Sequence, residues 1–181
     1  DIVYHQQFTL LNKVRGKSVV FDENKQRILF ATNKGLFSVN KFGTKEILES
    51  NKSLYLSRLV KSKNEILALT QNNKLLKIEG DKVVNPKFAG LLEDVKVLNI
   101  RMINDRLYIN SDDGIFVFDF LKKEFYKKLS YNQDFEFSQI TEIGDKVFIG
   151  VNRGVLSLPL SYKEQKKTAK LVLDEWRVNG K

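Results

Sequence analysis

Apolar and polar residues alternate along this chain in a phrase that returns four times. ILFATNKGLFSV (Ile28 to Val39), ILALTQNNKLLKI (Ile66 to Ile78), RLYINSDDGIFVF (Arg106 to Phe118) and KVFIGVNRGVLSL (Lys146 to Leu158) each place a short polar turn between two apolar runs. Alternation with period two marks half-buried strands, so each phrase predicts a β-hairpin. The turn glycines set the period: Gly114 to Gly154 spans 40 residues, and Gly35 to Gly114 spans 79, two repeats of almost the same length. In the second phrase the matching glycine would fall near residue 74, where Asn72, Asn73 and Lys74 stand. That hairpin is one residue longer, and an asparagine supplies the positive φ. Short strands recurring at a period near 40 residues predict propeller blades.

Flanking segments complete the blades. A first strand precedes each hairpin, at residues 17–21, 54–60, 96–103 and 137–143, and a fourth, outer strand follows at 45–48, 82–88 and 123–129. Polar turns at 22–26 and 61–65 and at Gly144-Asp145 separate them. No segment carries a convincing helical period; residues 162–173 read as a charged linker running into a strand. The expected fold is therefore all-β: a β-propeller-type array of about four four-stranded blades, part of a larger propeller. Residues 1–162 hold the repeats, with an orphan outer strand at 4–11 (YHQQFTLL), and residues 163–181 hold a linker and the first strand of a following domain. Blades bury their apolar faces only between neighbours. A four-blade array must close on itself, pair with another copy or continue into further blades, and self-association through the end blades is expected. Gly35, Gly114 and Gly154 are expected in hairpin turns with positive φ.

These residues resemble a known repeat. IGVNRGVL (Ile149 to Leu156) is similar to the bacterial two-component regulator propeller repeat, whose motif runs Leu/Ile-Trp-Ile-Gly-Thr-x-x-Gly-Leu/Ile, with Gly150 and Gly154 at its two glycines. FATNKGLF keeps Thr32, Gly35 and Leu36, with Ala31 at the first glycine; INSDDGIF keeps Gly114 and Ile115, with Ser111 at the threonine. The motif's tryptophan is replaced by Leu29, Tyr108 and Phe148, and the second repeat keeps only the apolar frame. WRVNGK (Trp176 to Lys181) looks like the end of the first strand of the tyrosine-motif, immunoglobulin-like domain that follows such propellers.

The resemblance implies a ligand-sensing, non-catalytic fragment of an extracytoplasmic receptor. Such propellers lie in the periplasm, in sensor histidine kinases, hybrid two-component receptors or membrane-anchored DNA-binding regulators. Their usual ligands are oligosaccharides. A protein-interaction scaffold and a propeller lyase or glycosidase are the alternatives from other classes.

Composition narrows the chemistry. There is no cysteine, which removes disulfides, thiolate metal sites and a cysteine nucleophile. His5 is the only histidine and lies in the orphan strand, without the spacing of a triad or metal site. Asp112-Asp113, Glu93-Asp94 and Asp174-Glu175 are the adjacent acids, all at turns or strand ends where such residues are ordinary. No phosphate-loop, dinucleotide or calcium-loop pattern occurs. No catalytic residue, metal or cofactor is therefore expected. Net charge is +9, from 31 Lys+Arg against 22 Asp+Glu. The excess is scattered over strand ends and is dense only at 163–170, so it reads as a solvated surface and not a nucleic-acid stripe. Among the aromatics, Tyr55, Tyr108, Phe125 and Tyr126 mostly read as blade packing. YNQDFEF is the exception, because it mixes aromatics with polar groups in a loop; Tyr131, Asn132, Gln133, Asp134 and Phe135 are the expected ligand contacts.

Overall fold

The computed structural model describes residues 14–63, 65–130, 137–151 and 154–163. These form four antiparallel sheets in chain order. The first holds β1 (Gly16–Asp22), β2 (Arg27–Thr32), β3 (Gly35–Asn40), β4 (Gly43–Glu49) and β5 (Lys52–Ser53). The second holds β6 (Leu56–Lys61), β7 (Ile66–Thr70), β8 (Leu75–Glu79) and β9 (Lys82–Val84). The third holds β10 (Val97–Ile103), β11 (Arg106–Ser111), β12 (Gly114–Asp119) and β13 (Glu124–Leu129). The fourth holds β14 (Phe137–Ile143), β15 (Lys146–Val151) and β16 (Gly154–Pro159). Every sheet is a meander whose sequential strands are neighbours. The chain divides into two compact units, 1–93 and 94–181, each with two sheets.

The repeated hairpin is the second and third strand of each sheet. Thr32 pairs with Gly35 and Ser111 with Gly114, leaving two residues in each turn, and Val151 pairs with Gly154. The three glycines have φ of 144°, 133° and 148°. The hydroxyl before the turn has a mechanical role. Thr32 Oγ1 donates to the Gly35 carbonyl at 3.0 Å and accepts from the Lys34 amide at 3.0 Å. Ser111 Oγ makes the same two bonds, to the Gly114 carbonyl and from the Asp113 amide. In the longer second turn, Thr70 Oγ1 accepts from the Lys74 amide and Asn73 takes φ 63°.

Three features differ from the expected strands. The outer strand of the second sheet stops at Val84 instead of running to residue 88. Pro86 has no amide hydrogen for a ladder, and its carbonyl instead accepts from Ala89 as the chain enters a short 3-10 helix, Ala89–Leu92. The first sheet gains a fifth strand of two residues, because Ser50 and Asn51 both take positive φ and fold Lys52–Ser53 back onto β4. The fourth sheet has three strands among the described residues. The orphan segment 4–11 and the tail 164–181 lie outside the described residues.

Within each unit the sheets meet face to face. In the first, Leu29, Ala31, Leu36 and Ile47 of sheet one form a buried cluster with Leu56, Leu59, Ile66, Ala68 and Ile78 of sheet two. In the second, Tyr108, Ile115, Val117 and Leu129 of sheet three pack with Ile140, Val147, Ile149 and Leu156 of sheet four. Each buried aliphatic chain contributes about 1.5–3 kcal/mol relative to exposure, so these faces dominate the stability.

Candidate functional site: charged clefts of the first unit

The strongest polar feature of the first unit is built around Arg27, the first residue of β2 and only 3% exposed. A buried guanidinium needs partners for its donors. Nε donates to Asp22 Oδ2 at 2.9 Å, Nη2 donates to the Gly80 carbonyl at 2.6 Å, and Nη1 donates to Asp81 Oδ1 and Ser38 Oγ. Asp22, the last residue of β1, lies directly opposite Arg27, while Gly80 and Asp81 form the two-residue turn between β8 and β9. Arg27 thus ties the first sheet to the outer turn of the second. Lys45 and Lys25 also reach Asp81, at 3.2 and 3.9 Å. Hydrogen bonds from Arg27 and then Lys45 hold the Asp81 carboxyl below its ordinary range, although burial works against this.

Two clefts share Asp81 in their lining. One, about 370 Å³, is lined by Lys25, Asn40, Phe42, Thr44, Lys45 and Asp81. Phe42 is 86% exposed at its rim, and the Thr44 hydroxyl has no hydrogen-bond partner. The other, about 490 Å³, is lined by Glu49, Lys74, Leu76, Lys82, Val83 and Asp81. Together they offer cationic donors, an amide, an ionised acceptor and an open aromatic ring. That set suits hydroxyl-rich or anionic ligands. It suits proton-transfer chemistry poorly, because a carboxylate locked by three cations is a weak general acid at neutral pH.

The second unit repeats the arginine and changes its partners. Arg106, 79 residues after Arg27, also opens the second strand of its sheet. It donates to Asp119 Oδ2 at 3.2 Å and reaches Glu142 of sheet four at 3.3 Å. Glu142 also accepts from the Tyr108 hydroxyl at 2.6 Å and from Asn104 at 2.8 Å. Burial first, then the Glu142 carboxylate, pushes the Tyr108 hydroxyl well above its ordinary range. Burial alone would raise Asp119, but the amides of Lys122 and Leu121 and the Arg106 guanidinium outweigh it and hold the carboxyl low. Nearby, Lys128 is fully buried, and its ammonium donates to the carbonyls of Pro159, Leu160 and Tyr162 at 3.2, 2.9 and 2.9 Å. Burial draws its pKa down to about 8. These groups fasten sheet four and the segment after it to sheet three.

The residues singled out from sequence fall into four groups. Tyr131, Asn132, Gln133, Asp134 and Phe135, together with His5 and Trp176, lie outside the described residues. Gly35, Gly114 and Gly154 hold the hairpin turns. Asp112 accepts from the Lys96 amide and Asp113 pairs with Lys127 at 2.8 Å, so this acid pair serves its turn. Tyr108 is core, Phe125 stacks on Phe116 at 5.6 Å, and Tyr55 is 49% exposed. Among the described residues, no three His, Asp or Glu side chains are grouped to hold a metal, and no helix is long and apolar enough to cross a membrane. Arg27, Asp81, Arg106, Glu142 and Lys128 were not singled out by sequence; only the 79-residue spacing of the two arginines was there to be read.

No protein-family profile matches the chain, and no curated protein sequence matches it. Solved structures do. The extracellular domain attributed to the one-component system BT4673 from B. thetaiotaomicron superposes with a TM-score of 0.65 at 14% identity, over 87% of this chain and 23% of that one. The extracellular domain of the hybrid two-component system BT3049 from the same organism gives 0.59 at 14% identity, over 91% and 23%. The computationally designed Ika4 protein gives 0.54 at 12% identity, over 88% and 95%. This chain spans about a quarter of the length of the two bacterial domains. At these identities the likeness establishes the fold: an all-β, propeller-type array of antiparallel sheets.

Proposed function

We propose that this chain is a ligand-sensing, non-catalytic propeller module from the extracytoplasmic part of a bacterial signalling receptor, and that it responds to carbohydrate. The observation that carries the reading is the likeness to the extracellular domains of BT4673 and BT3049 over nearly the whole chain. The repeat resemblance in the sequence points the same way. The parent protein is membrane-anchored and the module periplasmic. The clefts beside Asp81 supply what an oligosaccharide needs: charged and amide hydrogen-bonding groups converging on a concave surface, with Phe42 as a stacking face. The sequence expectation that Tyr131 to Phe135 contact ligand is a separate proposal, independent of these clefts.

A thermal-shift panel of neutral, uronic-acid-containing and sulfated oligosaccharides tests this. At least one class should raise the melting temperature in a saturable way, and Phe42→Ala or Lys45→Ala should weaken its binding tenfold or more. If no oligosaccharide shifts the melting point, the carbohydrate reading fails. A shift that survives both substitutions moves the site away from this cleft.

A further inference from the structure

Each sheet has a leading face and a trailing face, and the repeat register identifies equivalent positions on them. On the leading face, Val19 of sheet one corresponds to Leu59, Ile100 and Ile140, because each lies opposite the matching residue of the next strand: Phe30, Ala68, Ile109 and Ile149. By the same register, Ile28 corresponds to Ile66, Leu107 and Val147. In sheets two, three and four these positions are buried: Leu59 4%, Ile100 1% and Ile140 5% exposed, and Ile66 7%, Leu107 0% and Val147 0%. In sheet one Val19 is 57% exposed, Ile28 42% and the adjoining Phe21 45%.

The trailing face shows the complementary pattern. Leu36, Leu75 and Ile115 of the third strands, paired with Ala31, Leu69 and Asn110, are 0%, 5% and 0% exposed. Val155, their counterpart in sheet four, is 40% exposed, and Phe148 beside it is only half-buried where Leu29, Leu67 and Tyr108 are fully buried. What normally covers a leading face is also clear. In sheet two it is the trailing face of sheet one, through Leu29, Ala31 and Leu36; in sheet four it is the trailing face of sheet three, through Tyr108, Ile115 and Val117.

We propose that the leading face of sheet one, through Val19, Phe21 and Ile28, docks onto the trailing face of sheet four, through Phe148 and Val155, of a second copy of this chain. The occupant follows from the repeat: each face has the apolar chemistry and strand register of faces that elsewhere in the chain are covered by a propeller sheet. The contact is heterologous, so a pair that makes it twice closes, and a pair that makes it once leaves one face of each kind free.

That asymmetry gives a specific test. Sedimentation velocity of the 181-residue chain over a hundredfold concentration range should show reversible association. Val19→Asp blocks only the leading face and Val155→Asp only the trailing face, so each variant alone should be monomeric, with at least tenfold weaker association. An equimolar mixture should recover a one-to-one complex, because each variant still carries the face the other lacks. Circular dichroism checks the fold, and Val19→Ser with Val155→Ser replaces any variant that loses its strand signal. A wild-type chain that stays monomeric overturns the proposal; so do variants that associate as the wild type does, or a mixture that stays monomeric.

Discussion

Several single residues carry loads that their chemistry makes specific. Gly114 and Gly43 share φ 133°, but a Cβ at Gly114 would collide with the Leu129 carbonyl, while one at Gly43 would meet nothing within 4 Å. Gly114→Ala should therefore cost more than Gly43→Ala, whose penalty is backbone strain of about 1–3 kcal/mol. Urea unfolding of the two variants compares them, and equal losses would show that the carbonyl yields. Lys128→Met would leave three carbonyls near Pro159 without their donor; at about 1–3 kcal/mol for each lost partner, partly recovered by relaxation, a loss of about 2–4 kcal/mol is expected. An unchanged urea midpoint would mean that water or another donor replaces the ammonium. Asp119 sets an acid limit. Its carboxyl is held lower in the folded chain than in the unfolded one, where it titrates near 3.9. In that interval the unfolded chain binds a proton that the folded chain does not. The stabilisation is therefore full above that value and is lost as pH falls through the lowered one. Asp119→Asn should flatten the acid limb of a melting-temperature profile between about pH 5 and 2; an unchanged slope would assign the limb to other carboxylates.

At the scale of the element, the hairpin was legible and its fastenings were not. Period-two alternation, turn glycines and a hydroxyl at Thr32 or Ser111 are local signals, and local signals survive in a sequence. β14 begins and ends where alternation placed it, at Phe137–Ile143. β9 stops short because one proline outweighs a favourable pattern. The arginine clasps escaped for a different reason. Arg27 and Arg106 occupy equivalent positions, but their acceptors do not: Asp81 is in an outer turn and Glu142 in a first strand. No fixed spacing links donor to acceptor, and two arginines 79 residues apart are inconspicuous in a chain with 31 basic residues. Lys128 hid in the same way, beside the solvent-reaching Lys127. Arg106→Met should cost about 3–5 kcal/mol, because it leaves Asp119 and Glu142 buried without their cation, whereas exposed Lys45→Met should cost under 1 kcal/mol. Comparable losses for the two would mean that the Arg106 cluster is hydrated in solution.

At the scale of the molecule, the fold and the proposed activity follow from one property, which is repetition. Sheets that stack their faces leave their turns and edges free, and those rims hold the clefts beside Asp81. Alternation says which residues face a neighbour, so the array was readable from sequence. A cleft depends on how two sheets meet, so the site was not. The ligand loop at Tyr131 to Phe135 remains an expectation of sequence. The central claim is recognition without chemistry. Its most direct measurement is calorimetric titration of the chain with oligosaccharides, followed by mass spectrometry of the same sample after overnight incubation. The account predicts saturable heat for at least one class of sugar, with every ligand molecule recovered intact. Shortened or unsaturated products would contradict it and make the chain an enzyme; no heat with any sugar would contradict its ligand.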